Sequence, residues 1–155
     1  MNIVYLIAMK SKDENTHVGA VVVNPNNEII TMGYNGLVRG INDDVPERQE
    51  KPEKYFWFEH AERNAIYNAA RIGALLVGCK MYTNGITCVY CARGVIQSGI
   101  MEVIVDIECD SGNEGKCKER ADRGRSMLEE AGVKIRRVDV KLLEISKFRH
   151  GKIIN

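Results

Sequence analysis

The sequence predicts an α/β domain on a sheet of mixed strand direction, and three observations carry that reading. Two β-rich runs, 18–24 and 28–34, are joined by Asn24-Pro25-Asn26-Asn27, a turn by composition, so they pair as an antiparallel hairpin. After Cys79, strand-like and helix-like segments alternate, which implies parallel pairing because parallel strands need crossover connections. Two of the helix-like segments run into a glycine, Gly99 and Gly132, where a helix C-cap is expected.

Taken in order, residues 1–9 are apolar with no basic residue ahead of them, and read as an amphipathic first helix to about Lys10, not as a signal peptide. Residues 11–16 are a polar loop. Residues 18–24 are a buried strand rich in Val, and 28–34 its partner. Residues 35 to about 52 form a long irregular segment with Gly36, Gly40, Asn42, Asp43, Asp44 and Pro46. Loops of that length are usually functional, and this one leads into the candidate catalytic segment, so it is read as part of the substrate site. Residues 59–71 form a helix with Ala61, Ala65, Ile66, Ala69 and Ile72 at helical spacing, a core stripe whose small residues let the helix sit close to a sheet. Residues 75–83 bring a turn and a third strand, 88–98 a helix, 101–106 a fourth strand and 109–120 a polar loop. A helix at 123–131 and an alternating strand at 133–140 follow, and the tail, 141–155, fits no single element. No repeat, low-complexity tract or boundary interrupts the chain, so 1–155 reads as one domain with its own core.

Composition narrows the function classes. A hydrophobic fraction of 45% with 28% charged residues fits a soluble globular protein. A net charge of +1 provides no global field for nucleic acid or anionic membrane. The longest apolar runs are far too short to span a bilayer. Five cysteines, an odd number, point to a reducing compartment, here the cytoplasm. Cys79 reads as a buried strand residue, and Cys109 and Cys117 as free thiols rather than a second metal site.

The chemistry lies in two short motifs. His60-Ala61-Glu62 places an imidazole two residues before a carboxylate at the start of a helix. Thr87-Cys88-Val89-Tyr90-Cys91 places two thiolates at i and i+3, which share a face in a helix's first turn. Helix N-termini stabilise thiolates. His60, Cys88 and Cys91 make a three-ligand zinc set that leaves the fourth tetrahedral position for water. Zinc deaminases acting on nucleobases carry H-x-E followed by P-C-x-x-C, and here Thr87 stands in place of Pro. Water is too weak a nucleophile at pH 7, and zinc lowers its pKa to about 7. Glu62, close to the metal but not bound to it, is the candidate proton carrier. Because His60 and Glu62 do not share a helix face, the metal has to sit at the tip of that helix. Alone, either motif has a plain reading: His-x-Glu as surface decoration, Cys-x-x-Cys as a redox pair or half a structural site. Together, in this order, they are specific. A zinc module that lost its chemistry would have no use for Glu62. His17 and His150 are not needed to complete the set.

With these motifs the chain resembles the deoxycytidylate (dCMP) deaminase family of the cytidine deaminase-like superfamily. Ser11-Lys12-Asp13-Glu14-Asn15-Thr16-His17-Val18-Gly19-Ala20-Val21-Val22-Val23 is similar to that family's opening strand, with His17 where Lys is common. Gly33-Tyr34-Asn35-Gly36-Leu37-Val38-Arg39-Gly40 resembles its G-Y-N-G-x-P-x-G loop, with Val38 for Pro. The likeness runs from about Ser11 to Asp106. The resemblance implies an α/β/α sandwich around a mixed five-stranded sheet, and hydrolysis of dCMP to dUMP and ammonia for thymidylate synthesis. It implies that Asn35 contacts the sugar and that the backbone of Ala61 faces the base. It further implies a homo-oligomer, often a hexamer, regulated by dCTP and dTTP, with Mg2+ accompanying a triphosphate effector, in a bacterial or phage-infected cytoplasm.

Related readings share the zinc chemistry: a cytidine, tRNA adenosine or riboflavin-precursor deaminase. A non-catalytic nucleotide-binding regulator that keeps its zinc is the reading from a different class. The near-neutral charge argues against tRNA, whose binding rests on phosphate neutralisation. A nucleotide monophosphate needs cationic donors, and Arg39, Arg63 and Arg93 are the candidates. Arg39 is the first choice, since a loop residue can close over a ligand.

Overall fold

The computed structural model of the protein describes residues 1–85, 87–110, 115–143, 147–149 and 152–154. Helix α1 (Asn2–Ala8) leads into strand β1 (Gly19–Val23), which pairs antiparallel with β2 (Ile29–Tyr34). Asn24 Oδ1 accepts from the amides of Asn26 and Glu28 and builds the turn between them, as its composition predicts. Strand β3 (Gly36–Leu37), a short 3₁₀ turn (Pro46–Gln49), α2 (Lys54–Trp57) and β4 (Phe58–Glu59) precede α3 (Ala61–Ile72). Then come β5 (Lys80–Thr83), α4 (Val89–Gln97), β6 (Glu102–Asp106), α5 (Ile107–Asp110), α6 (Gly115–Glu130), β7 (Lys134–Val138), β8 (Lys147–Arg149) and β9 (Lys152–Ile154).

The main sheet has five strands in the order β2-β1-β5-β6-β7. β1 pairs antiparallel with β2 and β5, whereas β5–β6 and β6–β7 are parallel. This is the mixed sheet expected. Every residue of β1 is buried, because both faces are covered. Val21 and Val23 pack with Val4 of α1 on one side. Ala20 and Val22 join Ala65 and Ala69 of α3, Ala92 and Val95 of α4 and Leu128 of α6 on the other. Helices therefore lie on both faces, three of them on the face that carries the larger core.

The alanines of the α3 stripe are buried as their spacing predicts and Ile66 is partly buried beside them, but Ile72, expected in the same stripe, is exposed because the helix ends there at Gly73; β2 meets the alanines with Gly33. A Cβ there would run into the Ala61 carbonyl and the Ala65 amide, so the strand touches the helix backbone. Gly99 and Gly132 end α4 and α6 with φ of 77° and 76°, a left-handed conformation that costs glycine little.

Several boundaries differ from expectation. The first helix ends at Ala8, and α3 starts at Ala61 because Phe58 and Glu59 pair with Leu37 and Gly36 instead. The segment 35–52 is not structureless, since it holds β3 and the 3₁₀ turn. Of the stretch 109–120, expected as a polar loop, residues 109–110 close α5 and residues 115–120 open α6. Its Lys, Glu and Arg are good helix formers, and among the described side chains of α6 a narrow face is buried, through Ala121, Gly124 and Leu128. The tail contains an antiparallel pair, β8–β9. Among the described residues, no helix is long and apolar enough to cross a membrane.

Candidate active site

Two helix N-termini converge. His60 is the N-cap of α3 (φ −79°, ψ 152°) and Cys88 the N-cap of α4 (φ −73°, ψ 168°). Both have extended backbones, and neither side chain caps its own helix. The β3–β4 ribbon fixes the approach to His60 by pairing Gly36 with Glu59. Glu59 Oε1 accepts from the His60 amide at 2.9 Å and from Arg63 Nε at 2.6 Å. The approach to Cys88 follows β5, where Asn84 accepts from the Gly19 amide at 2.8 Å and donates to the His17 carbonyl.

His60, Cys88 and Cys91 bring one nitrogen and two sulfurs together. Cys88 Sγ and Cys91 Sγ are 3.7 Å apart, and they stand 3.6 and 3.4 Å from His60 Nδ1. A tetrahedral zinc with Zn–S of about 2.3 Å and Zn–N of about 2.0–2.1 Å spans edges of roughly 3.8 Å between sulfurs and roughly 3.6 Å from sulfur to nitrogen. The triangle fits that ion. It is far too wide for a disulfide, with its S–S bond of about 2.05 Å. Among the described residues this is the one cluster of three or more such side chains able to hold a metal.

The charges are arranged for it. Hydrogen bonding with Cys91, and then with His60, pushes the Cys88 thiol down to about 3. Its interaction with Cys88 raises the His60 imidazole. Cys91 shifts the other way, held up by the neighbouring Cys88 and by burial. Without metal the triad thus favours a thiolate at Cys88 and a thiol at Cys91, with the His60 proton held more tightly than on an ordinary imidazole. A metal has to displace the remaining protons.

Glu62, in the first turn of α3, is 2% exposed, and burial raises its pKa. Its Oε1 is buried with no hydrogen-bond partner. An orphaned buried carboxylate oxygen is costly and calls for a reason. A ligand donor arriving beside the sulfurs would satisfy it. Ala61, between His60 and Glu62, is fully buried, with its carbonyl against Gly33.

The other expected contacts are distributed differently. Asn35 is buried, and its side chain is engaged by protein: Oδ1 accepts from the Val18 amide at 2.8 Å, and Nδ2 donates to Asp13 Oδ2 and the Thr16 carbonyl at 2.9 Å each. Arg39 donates to Asn68 Oδ1 on the flank of α3 at 2.8 Å. Arg63 pairs with Glu59, and both Arg63 and Arg93 lie over the Tyr90 ring, at 5.9 and 5.1 Å. His17 is exposed, and Cys79 is buried as expected. Cys109 sits 3.7 Å from the Tyr5 hydroxyl. His150 and the Cys117 side chain lie outside the described residues.

Sequence reasoning missed Asp13 and Lys54. Asp13 is 3% exposed and ion-pairs with Lys54 at 2.5 Å. Its Oδ1 also accepts the amides of Asn15 and Thr16, and its Oδ2 the Asn35 amide. An Asp followed by small polar residues signals such a turn, but nothing local reveals the Lys54 partner. Burial alone would raise the Asp13 carboxyl, but Lys54 and the two amides outweigh it and lower the pKa. The stability from this group is therefore fully present above its unfolded pKa of about 3.9 and lost as pH falls through the lower folded value. Asp13→Asn leaves the partly buried Lys54 and three donors without their carboxylate and is expected to cost about 2–4 kcal/mol. Urea unfolding at pH 7 checks this, and the deficit should shrink in acid as the wild type loses the same contribution.

Similarity to known proteins agrees with the geometry. The family model of the cytidine and deoxycytidylate deaminase zinc-binding region matches residues 1–107. The deoxycytidylate deaminase of Homo sapiens is 42% identical over 109 residues, covering 67% of this chain and 60% of that protein. The one of Pongo abelii is 38% identical over 152 residues, covering 94% of this chain and 80% of its own. The chain thus spans less than two thirds of the human relative. Among solved structures, the dCMP deaminase of cyanophage S-TIM5, in complex with dCMP and dUMP, superposes with a TM-score of 0.69 at 23% identity, over 88% of this chain and 91% of that one. At that identity the likeness speaks for the fold alone. The family model covers more than half of the sequence, and the Pongo abelii relative aligns along almost all of it; this chain belongs to the cytidine and deoxycytidylate deaminase family.

Proposed function

We propose that this chain hydrolyses dCMP to dUMP and ammonia, the product serving thymidylate synthesis. The observation that carries the reading is the triangle of His60 Nδ1, Cys88 Sγ and Cys91 Sγ, with edges of 3.4 to 3.7 Å, beside a buried carboxylate with one unpartnered oxygen. His60, Cys88 and Cys91 would hold a zinc ion there, which would supply an activated water.

The chain's own residues do the rest. Glu62 carries the two protons of the attacking water, one to the ring nitrogen beside the attacked carbon and one to the departing amine, and ends in the state in which it began. Burial favours its protonated form, which suits a carboxyl that must donate near neutral pH. In this reading the backbone of Ala61 faces the base, and Asn35 contacts the sugar. Both hydrogens of the Asn35 amide are engaged by Asp13 and Thr16, so its remaining capacity is as an acceptor, suited to a sugar hydroxyl. Arg39 exchanges Asn68 for the 5′-phosphate.

The test is ammonia release from purified protein with dCMP, deoxycytidine, cytidine, adenosine and a diaminopyrimidine. dCMP is expected to be strongly preferred over deoxycytidine. Charged hydrogen bonds are worth about 1.5–3 kcal/mol each, so Arg39→Ala should lower kcat/KM for dCMP roughly ten- to hundredfold and leave deoxycytidine little changed. A wild type that prefers deoxycytidine defeats the monophosphate reading. An unchanged ratio in the variant removes Arg39 alone.

The proposal extends to regulation by dCTP and dTTP, with Mg2+ accompanying the triphosphate, and to a homo-oligomer, a hexamer by resemblance, in the cytoplasm. Exposed Ile3 and Leu6 of α1, Met9 just past it, and Met32 and Tyr34 of β2 offer apolar surface that another copy could cover.

A further inference from the structure

We infer that Gly124, in the middle of α6, is a positioning residue for the metal site and sets where Cys88 stands. The inference rests on the zinc reading above and extends it to a helix beyond residue 107, where the family model ends.

A glycine inside a helix costs about 0.5–1 kcal/mol relative to alanine, so its presence calls for a reason. Backbone conformation does not provide one, since Gly124 is not among the positive-φ residues. Space does. A Cβ at 124 would lie 2.6 Å from the Thr87 carbonyl oxygen, 2.9 Å from the Cys88 carbonyl carbon and 3.0 Å from the Val89 nitrogen. All three are backbone atoms, so no rotamer change relieves the overlap. They belong to the residue before the ligand, the ligand itself and the first residue of α4. The helix therefore lies directly on the peptide units that carry Cys88.

On the other side these units are held by the first turn of α4, where the Cys88 carbonyl accepts from the Ala92 amide at 2.9 Å. Thr87 is buried, but its hydroxyl has no hydrogen-bond partner. The α6 side of the contact is anchored on both sides of Gly124, because Ala121 is 5% exposed and Val133, just past the helix, is 7% exposed within the core. Added bulk at 124 therefore moves the Thr87–Val89 segment. Reaching ordinary contact near 3.4 Å requires a shift of roughly 0.8 Å. Metal sites hold their distances to about ±0.2 Å. The Cys88 sulfur, now 3.7 and 3.6 Å from the other two ligand atoms, would leave the tetrahedral edge lengths.

The experiment compares wild type, Gly124→Ala and Leu128→Ala. Leu128→Ala truncates the same helix on its core side without adding bulk against Cys88. Zinc affinity is measured by competition with a chelator, the thiolate-to-cobalt absorption of the Co2+ form reports ligand geometry, and thermal unfolding of the metal-free proteins reports stability. Gly124→Ala is expected to bind zinc about 10–100-fold more weakly, as loss of the groups that orient metal ligands typically does, with an altered cobalt spectrum. Leu128→Ala should lower Tm but bind zinc within about twofold of wild type, because its cavity affects folding rather than ligand placement. Wild-type affinity in Gly124→Ala, or an equal loss in Leu128→Ala, overturns the inference. Should Gly124→Ala fail to fold, hydrogen exchange on wild type decides: zinc should slow amide exchange around residue 124, and unchanged exchange there overturns the inference. Absence of zinc binding by wild type would instead overturn the underlying metal assignment, and the inference with it.

Discussion

Glu62→Gln is expected to retain zinc and fold while losing turnover by at least about 10²–10⁴-fold, the usual contribution of one acid–base group. The substitution keeps the shape of the side chain and removes its ability to exchange a proton. Two transfers depend on this one carboxyl, so the loss should reach or exceed the upper part of that range. It should fall on kcat rather than KM, because proton delivery is needed in the transition state and not for binding. Metal content should match wild type, since Glu62 stands beside the His60–Cys88–Cys91 cluster and is not part of it. The metal-free variant should be at least as stable as wild type, because the carboxylate it removes is buried and disfavoured in its charged form. Turnover within tenfold of wild type would show that another group moves the protons. Lost zinc would place Glu62 among the ligands.

The second large effect is expected at the thiolates. Cys91→Ser, or Cys88→Ser, should purify with little zinc and show no rise in Tm when zinc is added. Wild type should gain about 2.7 kcal/mol when free zinc is a hundredfold above its dissociation constant, and about 4.1 kcal/mol at a thousandfold. The metal stabilises because it ties α3 to α4 through residues 28 and 31 positions apart in sequence. Binding must also expel the proton that Cys91 keeps in the metal-free protein, so zinc affinity should weaken as pH falls. Metal analysis combined with thermal scans in zinc and in chelator checks both points. Full zinc occupancy in either variant would overturn the ligand assignment.

The hairpin, the parallel half of the sheet and the glycine-stopped helices were legible because each rests on a local rule. Alternation, helical spacing and turn composition operate over a few residues, and β1, β2, β5, β6 and β7 all follow them. The candidate ligand set was equally readable as a motif, since Cys88 and Cys91 stand one helical turn apart and His60 two residues from Glu62. The same rules misjudged 109–120. Charged composition there resembles a loop, but a helix needs only one narrow buried face, and α6 obtains it through Ala121, Gly124 and Leu128.

The sequence by itself determined the side chains of the proposed site: one imidazole, two cysteines and a carboxylate, in an order that few other functions use. The tertiary structure decided the geometry that makes the set a site. It brought two helix N-caps within 3.6 Å of each other, buried Glu62 with an unpartnered oxygen, joined Asp13 to Lys54 and Asn35, and laid Gly124 against the backbone of Cys88. It also placed Arg39 on Asn68, a partner 29 residues away. The reason is physical. Periodicity and spacing report which face of an element a residue occupies, whereas which elements meet, and at what separation, depends on how the whole core packs.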